Sequence, residues 1–507
     1  MNFNSWQYLL LFFIIFLLYY AFTARNKHCS NKISQIMLLA ASLFFYACWN
    51  PVYVLLILFS VLVTWLSGIL MEGKAQNQKR FVLIGSLIIN LGILFFFKYY
   101  NFFAGQFGRF ISFNIPNFNI LLPVGISFYT FQALGYSIDV YHGTIKAESD
   151  FISYALFVTF FPALVAGPIE RTANLLPQFK VNNSFNYDKV ASGFKLAAWG
   201  MFKKVVIADR LAIYVNAVYN EPAVYPACSI ALATFFFAFQ IYCDFSGYSD
   251  IAIGSARALG FNLMTNFRHP YFARSIADFW RRWHISLTTW LKDYIYIPLG
   301  GNRRGLFRQC VNIMIVFALS GLWHGTAWNF VAWGILHGLF QTIERLVRNC
   351  KSSYIKLPSP PRRNITIHLI QVFITFILIC FAWIFFRANS FTNAFIICSK
   401  LTTLPSELIG YIQDLSQTGI IGTVRQMFQL GTDVANPIQF FSLASFGLSF
   451  IFVAILVIAE IWTRKEGGTI RVMKLPLVVR WILYITILLT VTLNIPVISS
   501  EFIYFMF

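Results

Sequence analysis

Apolar runs of about 18 residues or more, the length an α-helix needs to cross roughly 30 Å of hydrocarbon, recur along this 507-residue chain from Trp6 onward. A chain with 58% hydrophobic and 11% charged residues cannot coat a soluble globule. The expected fold class is therefore all-α: a polytopic integral membrane helical bundle of about eleven to thirteen membrane helices, with broken, re-entrant and interfacial helices among them. A single membrane domain over 1–507 is the simplest organisation, with N-terminal spans in 1–120, a motif-bearing core in 121–345, and C-terminal spans and loops in 346–507. The first run, Trp6 to Phe22, has no basic segment before it and no small-residue cleavage site after it. It reads as a retained helix.

The net charge of +20 would suggest nucleic acid on a soluble protein. Here many of the cations flank apolar runs, which is the signature of membrane topology, so no nucleic-acid partner is expected. Arg25, Lys27 and Lys32 follow the first run, and Lys74, Lys79 and Arg80 follow the hairpin Trp49-Asn50-Pro51. Both loops are expected on the cytoplasmic side, with the N-terminus outside. The cysteines are scattered without a CxxC pair, so they read as small hydrophobes, and neither zinc nor a disulfide framework is indicated. The polar-containing stretches Cys350 to Asn364 and Pro405 to Pro437 read as loops or surface helices.

Several apolar segments are interrupted. Leu121-Leu122-Pro123-Val124-Gly125 leads into a run carrying Gln132, Asp139 and His142, and Phe161-Pro162 precedes Ala166-Gly167-Pro168-Ile169-Glu170-Arg171. Asp244 and Asp250 lie in a further apolar neighbourhood. Broken helices at membrane depth survive only where protein or a watery cavity surrounds them. The two carboxylates can be read as site residues or as hydrogen-bonded core groups.

From Ile276 to Leu291 the pattern becomes amphipathic. Trp280, Trp283, Leu287 and Trp290 recur at helical spacing, and Asp278 and Arg282 stand four apart on another face. One interfacial helix with its arginines toward lipid headgroups is expected. Arg268 to Arg308 holds eight Arg or Lys against two Asp, which suits the cytoplasmic face and a polyanionic donor. Six of the thirteen tryptophans fall between Trp280 and Trp333, too concentrated for interfacial belts alone.

His324 ends the apolar run from Val311, inside Gly321-Leu-Trp-His-Gly325, and His337 repeats the setting in Gly334-Ile-Leu-His-Gly338. Such glycine spacing lets another helix backbone approach closely. An enclosed neutral histidine can serve as a general base. The alternative is a hydrogen-bonded packing histidine, the reading that suits His337 better. His284, beside Arg281 and Arg282, is open to either reading.

Phe279-Trp280-Arg281-Arg282-Trp283-His284-Ile285-Ser286-Leu287, Tyr294-Ile295-Tyr296-Ile297-Pro298-Leu299-Gly300-Gly301-Asn302 and Gly321-Leu322-Trp323-His324-Gly325 resemble the membrane-bound O-acyltransferase (MBOAT) family. The likeness is to its bacterial alginate and peptidoglycan O-acetyltransferase branch. The segments Leu122–Gln132, Ala166–Ile169, Asp244–Asp250, Trp383–Ala388 and Phe502–Phe505 are similar to that branch as well. The resemblance implies a helical bowl with a central tunnel in the bacterial inner membrane, where a cytosolic acyl donor meets a hydroxyl acceptor from the other side. The family's tunnel histidine falls on His324 and its second histidine on His284. Donor-binding or tunnel candidates are Trp280, Arg281, Arg282, Trp283, Asn302, Trp323 and Asp244. The branch implies acetyl-CoA as donor substrate with no bound cofactor, a polysaccharide acceptor, and an extracytoplasmic SGNH-type partner with a Ser-His-Asp site. No GxSxG or HxxxD motif supplies such a site in this chain.

Two other readings stand beside this one. A small-molecule or ion transporter would also carry intramembrane Asp and His, but should show paired halves with corresponding interrupted spans, and none is found. A longer-chain acyltransferase acting on a lipid or protein would keep the same motifs.

Overall fold

The computed structural model describes residues 3, 5–25, 30–111, 115–165, 167–354, 365–430, 441–464, 468–494 and 502. Lys27, Ala166, Ile503 to Phe505 and parts of the two polar stretches near 355–364 and 431–440 lie outside the described residues. Among the described residues every regular element is helical, as expected of an all-α membrane protein.

Among the described residues, eight helices are long and apolar enough to cross a membrane: Trp6–Thr23, Val52–Met71, Gln76–Phe110, Ala227–Ala258, Gly305–His324, Ile365–Arg387, Leu443–Thr463 and Leu477–Asn494. Their outward faces carry large exposed apolar side chains such as Leu10, Leu55, Phe373 and Leu488, a surface suited to lipid rather than water. The count among the described residues falls short of the eleven to thirteen expected, for a physical reason. One apolar run is cut into pieces too short to span, and another carries too many charges. Phe151–Thr159 is followed by the four-residue Phe161–Leu164 helix, with Pro162 in its first turn. Tyr187–Met201 instead runs on without a break through the π-helical stretch Phe202–Ala208 into Asp209–Asn220, and Lys203, Lys204, Asp209 and Arg210 make it too charged for an apolar span.

The chain forms two compact units, each assembled from separated segments. The first comprises Met1–Gly200, Tyr248–Asn266 and His284–Ile295, and the second Met201–Gly247, Phe267–Trp283 and Tyr296–Phe507. The first unit has a polar-laced core: Tyr8 donates to Ser255 Oγ (2.8 Å), Tyr154 to Thr64 Oγ1 (2.7 Å), and Gln132 Nε2 to the Phe157 carbonyl (2.5 Å). Buried hydroxyls and amides that find partners in this way hold helices at fixed spacing in lipid.

In the second unit the tightest packing joins Gly305–His324 to Trp328–Tyr354. A Cβ on Gly321 would sit 2.3 Å from the Phe330 carbonyl oxygen, and one on Gly334 would sit 2.2 Å from the Phe317 carbonyl oxygen. Both obstacles are backbone, so only glycine permits this crossing. The close helix approach expected around His324 and His337 is the approach of their own two helices.

The stretch Ile276–Leu291 is not one amphipathic helix. It forms Ile276–Trp280 and Ile285–Leu291, separated by a turn in which His284 takes a left-handed conformation (φ 44°, ψ 52°). Trp280, Trp283, Leu287 and Trp290 are all buried, so their spacing marks burial on both sides of a chain reversal, not one membrane-facing stripe.

Candidate active site

His324 is the last residue of Gly305–His324, and Gly325 then turns the chain into extended conformation. The imidazole is 3% exposed. Its ring lies 4.9 Å from Trp323, 4.9 Å from Trp333 and 5.4 Å from Phe386, each edge-on. Trp333 stacks on Trp383 at 5.8 Å, and Trp283 meets Trp383 at 5.1 Å. The imidazole is thus enclosed by aromatic side chains.

His337 lies in the same cluster, 5.0 Å from Trp333 and 5.1 Å from Trp280. The Trp280 indole N–H donates to His337 Nδ1 at 3.2 Å. An indole nitrogen can only donate, so Nδ1 is an acceptor and the ring proton of neutral His337 sits on Nε2. The two histidines therefore both border Trp333, and His337 is a packing residue with a defined tautomer. Trp280 is occupied in holding it.

The remaining candidates in this unit have separate roles. Asp244 is a core ion-pair partner: Lys204 Nζ lies 2.6 Å from Asp244 Oδ1 and 2.8 Å from Asp209 Oδ1, all three side chains being nearly or fully buried. Lys203 donates to Ser246 Oγ (2.9 Å) and sits over the Tyr242 ring, and Tyr242 in turn donates to Glu460. Asn302 is exposed and accepts from Tyr296 (2.5 Å) and Gln309 (2.8 Å), which shapes the Gly300-Gly301 turn. Arg281 is exposed, and Arg282 Nε pairs with Asp278 Oδ1 at 3.0 Å, as the four-residue spacing predicts.

His284 belongs to the first unit and is fully buried. Its ring stacks near Phe128 (6.2 Å, 22°), and its Nδ1 lies 3.2 Å from Asn266 Oδ1. Burial pushes its pKa down to about 3, so the ring is neutral at physiological pH. In the same unit, Arg171 pairs with Asp293 (2.7 Å) and lies over Tyr294, whose hydroxyl donates to Asp139 Oδ1 (2.8 Å).

Asn266, Lys203, Lys204 and Glu460 do not stand out as site candidates in the sequence. The two lysines and Glu460 do carry a signal, since charges inside apolar runs are costly. Asn266 carries none, because its importance depends on a contact 18 residues away along the chain.

A helical membrane protein with an enclosed histidine at the end of a spanning helix fits an acyl-transfer catalyst, and residues 145–391 match the profile of MBOAT, the membrane-bound O-acyltransferase family. The chain belongs to that family and is a multi-pass membrane O-acyltransferase. Among curated relatives it is similar to the probable alginate O-acetylase AlgI of Azotobacter vinelandii, with 38% identity over 77% of this chain and 76% of the relative. It is 36% identical to the protein of that name from Pseudomonas aeruginosa (88% and 82%) and 36% identical to the peptidoglycan O-acetyltransferase of Helicobacter pylori (71% and 72%).

Proposed function

We propose that this protein moves acetyl groups from acetyl-CoA to the hydroxyls of an extracytoplasmic polysaccharide, with His324 as the proton acceptor. The observation that carries the reading is the burial of His324 at the end of a spanning helix, inside rings of Trp323, Trp333 and Phe386, in a chain 36–38% identical to two kinds of named glycan O-acetylating relative. The hydroxyl oxygen attacks the thioester carbonyl carbon as its proton passes to the imidazole. The C–S bond then breaks and the proton goes to the thiolate, leaving ester and free thiol. His284 is the second histidine of the reaction. The glycan receives the group through an extracytoplasmic partner of SGNH type, since the chain lacks the motif for a serine site of its own. The N-terminus lies outside, and the donor enters from the cytoplasmic face of the bacterial inner membrane.

The test is the base-labile O-acetyl content of envelope and secreted polysaccharides in a deletion strain complemented at matched membrane levels. His324→Ala should lower ester by roughly 10²-fold or more, the usual worth of a general base. His142→Ala, at an exposed position, should match wild type. Ester content that is the same in the deletion strain and in every complemented strain would sink the acetyl-to-glycan reading.

A further inference from the structure

The neutral imidazole of His284 has two possible tautomers, and only one leaves a lone pair on Nε2. Asn266 decides between them. Its Oδ1 accepts from the Ser286 backbone N–H (3.3 Å) and from Ser286 Oγ (3.0 Å), and its Nδ2 donates to Ser249 Oγ (3.2 Å). A backbone N–H can only donate, so the amide oxygen, not the nitrogen, is the atom on that side. That same oxygen faces His284 Nδ1 at 3.2 Å. Nδ1 must therefore carry the proton, and the lone pair is on Nε2.

The backbone around this contact is equally constrained. Ile285 N–H donates to the Asn266 carbonyl at 2.9 Å, so one asparagine holds the residue after His284 by its main chain and His284 itself by its side chain. Asn266 is fully buried. His284 sits at φ 44°, a left-handed conformation that a non-glycine residue keeps only where its surroundings impose it. His337 is set the opposite way, its proton placed on Nε2 by Trp280.

We propose that Asn266 is a positioning residue for acyl transfer: its side-chain oxygen fixes His284 in the Nδ1–H tautomer, so that the ring offers an Nε2 lone pair as proton acceptor. This rests on the reading that His284 takes part in the transfer. The orientation would be lost if the acceptor at Nδ1 were removed, because free imidazole favours the other tautomer.

Three variants separate this role from a merely structural one. Asn266→Asp keeps an acceptor oxygen toward His284 and can accept from the Ser249 hydroxyl in place of donating to it, Asn266→Leu keeps the shape but loses both bonds, and Ser249→Ala removes only the outer bond. Asn266→Asp and Ser249→Ala should keep polysaccharide ester within a few-fold of wild type, and Asn266→Leu should lose it by about tenfold or more, with membrane levels matched. Nitrogen-15 spectra of histidine-labelled protein, with His284 assigned by its loss in His284→Gln, give a readout that does not depend on the acceptor. Wild type should show the Nδ1–H form, and Asn266→Leu a shift toward Nε2–H. The proposal is overturned if His284 keeps the Nδ1–H form in Asn266→Leu, or if the Asp and Leu variants lose ester equally. If the spectra behave as expected but ester never changes, it is the glycan reading that has failed.

Discussion

Lys204 is shared between two buried carboxylates, which makes the contributions of its partners unequal. Replacing it with methionine leaves Asp209 and Asp244 as buried anions that have lost their common cation, a situation that costs about 3–5 kcal/mol for a broken buried pair. Asp244→Asn leaves Lys204 still paired with Asp209 and should cost clearly less. Thermal unfolding of the purified variants in detergent would check the order, and equal losses would contradict the shared-cation arrangement. At this scale the sequence announces the enclosed setting of His324 well and the ion pair of Asp244 ambiguously. His324 stands out because glycines on either side signal close packing. Asp244 is a core ion-pair residue, and its partner Lys204 lies forty residues upstream, a distance no local pattern bridges. Asn266 is silent for the same reason.

Between residue and molecule, the unit that matters is the helix pair bearing His324 and His337. Its two glycines, Gly321 and Gly334, each oppose a backbone carbonyl that cannot rotate away. Gly321→Ala or Gly334→Ala should push the helices apart by enough to displace both histidines, costing on the order of 1–3 kcal/mol as overpacking does and abolishing ester formation before the protein fails to insert. Gly447→Ala, in Leu443–Thr463 with nothing within 4 Å of its added Cβ, is the matched control and should be neutral. Stability and ester content unchanged in both active-site variants would refute the close crossing. The G-x-x-H-G spacing makes this element legible because small residues have few other reasons to recur there. The Ile276–Leu291 stretch shows the opposite case: tryptophans at three- and four-residue intervals satisfy a helical period even across a turn. Periodicity counts residues and cannot register the one at φ 44°.

For the whole molecule, the class was legible because lipid imposes it: long apolar runs can only be helices, since hydrocarbon leaves backbone groups no partner but each other. The number of crossings was less legible, because an apolar run that breaks at a proline looks in sequence like one that continues. The expected orientation rests on the basic loops, and the helix order allows it to be tested. Trp6–Arg25, Ser30–Ala47 and Val52–Met71 succeed one another, with the turn at Asn50 between the second and third, and Lys79 in the helix that begins at Gln76. If cations keep Lys74, Lys79 and Arg80 in the cytoplasm, a single cysteine at Lys79 in a cysteine-free background should react with an impermeant maleimide only in inverted vesicles. One at Asn50 should react in intact spheroplasts. The reverse pattern would overturn the assignment of the Lys74, Lys79 and Arg80 loop to the cytoplasm. Labelling at both positions from one side would instead mean that Val52–Met71 does not cross, because the two sites are separated by that helix alone.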